Sequence, residues 1–265
     1  QMAWVWEKEL TITSYGVDPV TLSRGENFHT NADPARQHYN PAMIEVGGET
    51  EQGTVSSLIL THIILDDMGK YEGEYFVQAD SEGDGETTVS RSEVPNTSIV
   101  QDAIIATYNG MGTITLGDGA ELRNYGGMSA VRLSGGELIM EEGSAILDTT
   151  ENEREKGASG SFGPAGAVWL QGGILTMNGG TIGGDKGVMM NGRALYAGGG
   201  TANIGGTIQN IHGTDAAWQG QNGVAVHLRS HGEATLASTG EITNVTGTNA
   251  GNKLRHLDPI LQLYH

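Results

Sequence analysis

Short apolar runs alternate with glycine-rich corners along most of the chain. The segment AVWLQGGILTMNGGTIGG, residues 167–184, contains two alternating runs separated by glycine pairs. This much glycine is poorly tolerated in helices and weakens ordinary strands, but it suits tight corners between short strands. Apolar residues do not recur at the 3.6-residue period of a helix. The pattern therefore predicts short strands joined by sharp corners.

Five segments follow one repeat of strand, corner, strand, corner and apolar pair. The segments begin at Ala103, Ala130, Ala167, Ala194 and Ala225. The second interval is the longest because it contains a polar, charged stretch at 149–164, which is predicted to be a loop expanded from one corner. A looser copy occupies 43–65, and 9–25 resembles an opening half-turn. Repeats that begin every few tens of residues are typical of a solenoid.

Equivalent strands of successive coils are expected to pair in parallel, so that equivalent residues form columns along the solenoid. Alternation predicts an inward face for one set of apolar residues, namely Ile114, Leu116, Val131, Leu133 and Ile174. Glycine at the corners permits positive φ and close backbone approach without a steric penalty. Trp4 and Trp6 are expected to cover the open end of the first coil.

The motif GGxLxMxxGxI and the segment SLILTHIILDD, residues 57–67, resemble right-handed parallel β-helix repeats. Such repeats occur in the pectate-lyase-like superfamily and in large surface proteins of Gram-positive bacteria. The likeness covers 10–251, nearly the whole chain. It implies an all-β, single-stranded right-handed parallel β-helix of about seven or eight coils with two expanded loops. Enzymes, adhesins and phage spikes share this fold, so the resemblance says little about function.

The resemblance also implies one β-helix domain over 1–265. Within it, 1–30 is expected to form an N-terminal cap and the first half-coil, and 71–97 and 149–164 are expected to be loop insertions. Residues 252–265 are interpreted either as a C-terminal cap or as a truncated further coil. The sequence leaves these two alternatives open.

The amino-acid composition excludes some classes of binding partner. Lys and Arg number 14 against 32 Asp and Glu, which gives a formal net charge of -18. Such a surface repels nucleic acid and anionic membranes, and it counts against a polyanionic polysaccharide as ligand. The chain has no cysteine, which excludes disulfides and thiolate chemistry. No apolar run has the length of a membrane span. We expect a piece of a longer extracellular polypeptide, either attached to the cell wall or secreted.

Asp66 and Asp67, with His62 upstream, are the candidates for catalysis. Paired carboxylates beside a histidine resemble the β-helix glycosidases, in which acidic residues protonate the leaving group and activate water. That family also carries NTD, GHG and R-x-K motifs, of which this chain offers only IHG at 211–213. The preferred interpretation places Asp66 and Asp67 in a corner, where their side chains accept backbone hydrogen bonds.

Asp80, Glu82 and Asp84 are weak candidates for a calcium site, because with Gly85 they match the first half of an EF-hand loop. The twelfth position of that loop needs a bidentate glutamate but holds Arg91. The preferred interpretation is a solvated insertion. No other cofactor is expected.

The third residues of four repeats form the main candidate ligand-binding site. They are Arg132, Trp169, Tyr196 and His227. Stacked about 4.8 Å apart, they would form a row along one face. Aromatic and arginine side chains commonly bind sugar rings or peptides. Alternatively, the row packs beneath the loop at 149–164. Trp218, in a predicted corner or loop, is a second candidate.

The expected function is a non-catalytic surface module, an adhesin or stalk segment that binds a host or microbial glycan or surface protein. The alternative is a carbohydrate-active enzyme, a polysaccharide hydrolase or lyase that uses Asp66 and Asp67. A pure spacer with no ligand is a third hypothesis.

Overall fold

The computed structural model describes residues 3–23, 42–47, 55–67, 103–107, 112–125, 129–149, 166–212, 225–229, 231–246 and 254–256. These residues form strands and the turns between them, and none of them is helical. The strands are short because glycines and polar corner residues interrupt the alternating runs every few positions.

The first twelve strands are β1 (Ala3–Val5), β2 (Glu9–Thr13), β3 (Val20–Ser23), β4 (Ala42–Val46), β5 (Ser57–Thr61), β6 (Ile63–Asp66), β7 (Ala103–Thr107), β8 (Thr113–Leu116), β9 (Ala120–Arg123), β10 (Ser129–Leu133), β11 (Glu137–Met140) and β12 (Ala145–Asp148). The others are β13 (Val168–Leu170), β14 (Ile174–Met177), β15 (Thr181–Gly184), β16 (Met190–Asn191), β17 (Leu195–Ala197), β18 (Thr201–Ile204), β19 (Thr207–His212), β20 (Val226–Leu228), β21 (Glu233–Leu236), β22 (Glu241–Thr246) and β23 (Leu254–His256).

The described strands form three parallel sheets. Sheet A has the order β1-β4-β7-β10-β13-β17-β20-β23, and sheet B has the order β2-β5-β8-β11-β14-β18-β21. Sheet C has the order β16-β19-β15-β12-β9-β6-β3, and β22 also pairs with β19. Apart from β16, which follows β15 within sheet C, the chain visits A, B and C in turn, so neighbouring strands of a sheet belong to successive coils. The all-β parallel architecture expected from the repeats is confirmed, and it is consistent with a β-helix solenoid.

Apolar columns fill the interior. In sheet B one buried column passes through five coils, namely Leu58, Ile114, Leu138, Leu175 and Ala202. A second runs parallel to it, namely Leu60, Leu116, Met140, Met177 and Ile204. Both columns belong to one hydrophobic core cluster. The predicted inward orientation of Ile114, Leu116, Val131 and Leu133 is thus confirmed.

Two details of the predicted alignment between the internal repeats are wrong. Ile174 is 43 % exposed, because the strand that follows the glycine pair turns Leu175 inward instead. The repeat that begins at Ala103 is one residue out of register, since Ala103 pairs with Ser129. The alignment matched alanines by identity, whereas hydrogen-bonded pairing sets the register.

Stacked glycines explain the corners between sheets A and B. Gly136 and Gly173 occupy equivalent corners of successive coils, with φ of 77° and 80°. A Cβ atom on Gly136 would overlap the carbonyl oxygen of Gly112, and one on Gly173 would overlap that of Gly136. Glycine is therefore required at these corners both by the left-handed backbone and by the close approach of adjacent coils.

Candidate functional site on the outer face of sheet A

The four residues of the predicted row are neighbours in sheet A. Arg132 pairs with Trp169, Trp169 pairs with Tyr196, and Tyr196 pairs with His227. The residues on either side of them, such as Val131 and Leu133 around Arg132, belong to the core. Because side chains alternate along a strand, the four side chains point away from the core as one column.

The register extends this column towards the N-terminal coils. Trp4 pairs with Glu45, Glu45 pairs with Ala106, and Ala106 pairs with Arg132. Trp4 therefore points away from the core instead of covering the end of the coil as expected. The repeat alignment missed Glu45, although its place between the apolar Ile44 and Val46 is an alternation signal. We call the set Trp4, Glu45, Ala106, Arg132, Trp169, Tyr196 and His227 the outer column.

Most of the outer column is buried even though it faces outward. Arg132, His227 and Glu45 are at most 2 % exposed, and Trp169 is 9 % exposed. Trp169 forms a small apolar cluster with the partly buried Tyr196, and this cluster is separate from the main core. The buried members thus form a second packed layer, and the accessible surface of the column is that of Trp4 and Tyr196.

Near the C-terminal coils, the accessible surface is formed by Tyr196 of the outer column and by Arg193 beside it. The Arg193 guanidinium carbon lies 5.6 Å from the centre of the Tyr196 ring, within the range of a cation–π contact. Tyr196 also contacts the His227 ring edge to face, with centroids 5.1 Å apart and an interplanar angle of 84°. Burial lowers the pKa of Arg193, and the phenols of Tyr196 and Tyr125 oppose this effect. Both side chains are partly exposed.

Glu45 and Arg132 form the charged part of the outer column. Burial raises the pKa of Glu45 to about 7, and the positive charge of Arg132 opposes that rise. Ala106 lies between them in the column and carries only a methyl group, so it leaves room above the sheet for the two longer side chains. Glu45 is therefore a buried carboxyl that loses its proton in the folded chain near neutral pH.

The structure separates the residues proposed for catalysis. His62 precedes β6 and Asp66 ends it. Since strand residues advance about 3.3 Å each, the two lie about 13 Å apart along the backbone. Asp66 accepts a hydrogen bond from the Asn124 side chain at 3.1 Å, and Asp67 is buried. This geometry does not bring the imidazole beside the two carboxylates.

Arg123 lies next to Asp66 in sheet C. The hydrogen-bonded carboxylate of Glu121 and, to a smaller extent, the charge of Asp66 raise the pKa of Arg123 against the effect of burial. Asp66 therefore lies beside the Arg123 guanidinium and accepts a hydrogen bond from an amide donor. A carboxylate with such partners is suited to holding a corner.

Sequence reasoning missed a set of asparagines that lie within strands of sheet C or directly after one of them. Asn124, Asn210 and Asn244 all have positive φ, at 50°, 53° and 46°. The Asn244 side chain donates to the Asn210 side chain at 2.6 Å, and Asn210 donates to the Gly184 carbonyl at 3.1 Å. Each asparagine comes two residues after an inward apolar residue, and this spacing was the available signal. Asparagine tolerates the left-handed conformation and bonds to neighbouring backbone, so it fits these positions of positive φ.

The other predicted site residues, Trp218 and the acidic Asp80, Glu82 and Asp84, are outside the described residues. Within the part that is described, no three His, Asp or Glu side chains are grouped as metal ligands would be. In the same part, no helix has the length and apolarity needed to cross a membrane.

Comparisons with protein-family models, with curated proteins and with solved structures find no match to this chain. The likeness to β-helix repeats therefore depends on the repeat pattern and on the three parallel sheets themselves.

Proposed function

We propose that this chain is a non-catalytic module of a bacterial cell surface, which binds a host or microbial glycan or a surface protein through the outer face of sheet A. In this proposal it is a right-handed β-helix and one domain of a longer Gram-positive polypeptide that is wall-attached or secreted. The outer column supports the proposal best, because an in-register row of arginine and aromatic side chains lies outside the core.

The ligand contacts assigned near the C-terminal coils are Tyr196 and Arg193. They are the partly exposed members of a packed layer, and Trp169 and His227 lie buried beside them. Buried neighbours fix the orientation of the Tyr196 ring, so little conformational entropy is lost when a ligand binds. Tyrosine and arginine are also the residue types enriched among strong binding contacts.

The net charge of the chain favours some chemical classes of ligand over others. With a net charge of -18, a neutral or cationic ligand is favoured over nucleic acid, anionic membranes and acidic polysaccharides. The proposal includes no cofactor. An enzyme that uses Asp66 and Asp67 is less well supported, because Asp66 is bonded to Asn124 and His62 lies at the other end of β6.

Removing Tyr196 or Arg193 is expected to weaken ligand binding. The purified protein is screened on a glycan array and against surface proteins, and the best ligand is titrated against Tyr196→Ala and Arg193→Ala. The affinity for the ligand should fall at least about tenfold in each variant, because each substitution removes one of the two assigned ligand contacts. Ile174→Ala is the matched control, since Ile174 is exposed on sheet B. Equal affinities in all four proteins would contradict the assigned site.

A polysaccharide panel assayed for released reducing ends or unsaturated products is expected to show no turnover. Asp67→Asn and Asp66→Asn serve as the comparison, because both substitutions keep the side-chain size and remove the negative charge. Turnover by the wild-type chain that disappears in Asp67→Asn would establish the enzyme and overturn the non-catalytic proposal.

A further inference from the structure

Two tryptophans are exposed at the N-terminal end of sheet A. Val5 is fully buried in the core, so its neighbour Trp4 points outward as the first member of the outer column. Trp4 is 40 % exposed and Trp6 is 36 % exposed. Their ring centroids are 6.5 Å apart and their planes differ by 31°. The two indole rings are thus neighbours in a tilted arrangement.

We propose that Trp4 and Trp6 form a platform that binds the pyranose rings of a neutral oligosaccharide. The inference rests on the proposed binding function and adds a second contact region to it, one that the repeat alignment did not include. We call these two residues the tryptophan platform.

The size of the platform fits sugar rings better than a protein partner. A tryptophan side chain presents up to about 250 Å², so the two exposed fractions together offer about 200 Å². A stable protein interface buries about 800 Å² on each partner, several times more. The area suits a ligand of one or two rings.

The chemistry of the surroundings points the same way. A pyranose has an apolar face of C–H groups and a rim of hydroxyls. The indole rings supply an apolar surface, and the exposed side chains of Glu7, Lys8 and Glu9 follow them directly in the sequence. These charged groups are suited to hydrogen bonds with hydroxyls, which both donate and accept. The net charge of -18 favours a neutral sugar over an acidic one.

Neighbouring aromatic residues do not offer the same surface. Trp169 belongs to the same column but is buried, so it has no open ring face for a ligand. Tyr15 is fully exposed but has no aromatic ring paired with it among the described residues. Tyr15 therefore serves as the control for a general loss of exposed aromatic surface.

The platform is tested with an array of neutral oligosaccharides, followed by titration of the best binder. Trp4→Ala/Trp6→Ala is expected to lower the affinity at least about tenfold, and Trp4→Phe/Trp6→Phe should recover part of it. Tyr15→Ala should bind like the wild type. A thermal unfolding midpoint within a few degrees of the wild type shows that the loss is not one of folding.

The outcomes separate the platform from the general proposal. Glycan binding that is unchanged in the double alanine variant, or lost only in Tyr196→Ala, overturns the platform and leaves the binding function standing. Binding of a surface protein but of no glycan also overturns the platform alone. A wild-type chain that binds nothing in either screen overturns both.

Discussion

Trp169→Ala is expected to lower the free energy of unfolding by about 3–5 kcal/mol, the usual range for removing a large aromatic side chain from a packed site. Trp169 is buried on the outer side of sheet A, where it packs against Tyr196 and stands between Arg132 and Tyr196 in the column. Its removal leaves a cavity on the outer side of sheet A. Side chains of the core cannot fill this cavity, because the sheet lies between the cavity and the core. The measurement is equilibrium unfolding in urea, followed by circular dichroism.

The same variant separates a packing role from a binding role. Ile174→Ala removes an exposed apolar side chain of sheet B and should cost less than about 1 kcal/mol. Trp169→Phe should retain part of the lost stability. If Trp169→Ala unfolds like the wild type and instead abolishes ligand binding, Trp169 contacts the ligand directly, and the assignment of the middle column to packing is wrong.

Raising the pH from about 4.5 to about 8 is expected to remove about 3 kcal/mol of stability through Glu45. Burial raises the pKa of Glu45 to about 7 in the folded chain, against 4.5 for an unperturbed glutamate. Between these values the unfolded chain releases the proton while the folded chain retains it. Stability therefore falls as the pH rises through this window, by about 1.4 kcal/mol for each pH unit between the two pKa values.

Glu45→Gln tests this dependence because it keeps the shape of the side chain and removes the titrating group. The difference in unfolding free energy between wild type and variant should change by about 3 kcal/mol across the window, in favour of the variant at high pH. A carboxyl-detected NMR titration of Glu45 reports the folded pKa directly. Arg132→Gln should move that pKa upward, since the charge of Arg132 opposes the rise. Parallel stability profiles for wild type and Glu45→Gln would show that burial of Glu45 has no such effect.

The outer column shows how far the site was predictable. Arg132, Trp169, Tyr196 and His227 occur at the same offset from the alanine that opens each repeat, so their alignment followed from the sequence. Glu45 has no such marker, since its repeat is irregular. Its place above Ala106 and near Arg132 depends on the pairing of β4, β7 and β10.

The candidate catalytic residues lie apart in the structure for a related reason. His62 and Asp66 are close in sequence, and in a helix four residues apart they would share a face. In an extended strand the same spacing moves them apart by about 13 Å. The hydrogen bonds of Asn124 to Asp66 and of Asn244 to Asn210 join residues of different coils, and no one repeat displays them.

By itself, the sequence determined the coil, because alternation within a strand and glycine at a corner are local properties. Leu138 and Leu175 face inward because side chains alternate along a strand and the residues next to them face outward. Gly136 turns the chain because glycine tolerates a positive φ better than other residues. Only the tertiary structure decided which outward residues are buried and which are open. Burial depends on everything that packs around a side chain, so Trp169 is enclosed while Trp4, in the same column, remains partly exposed.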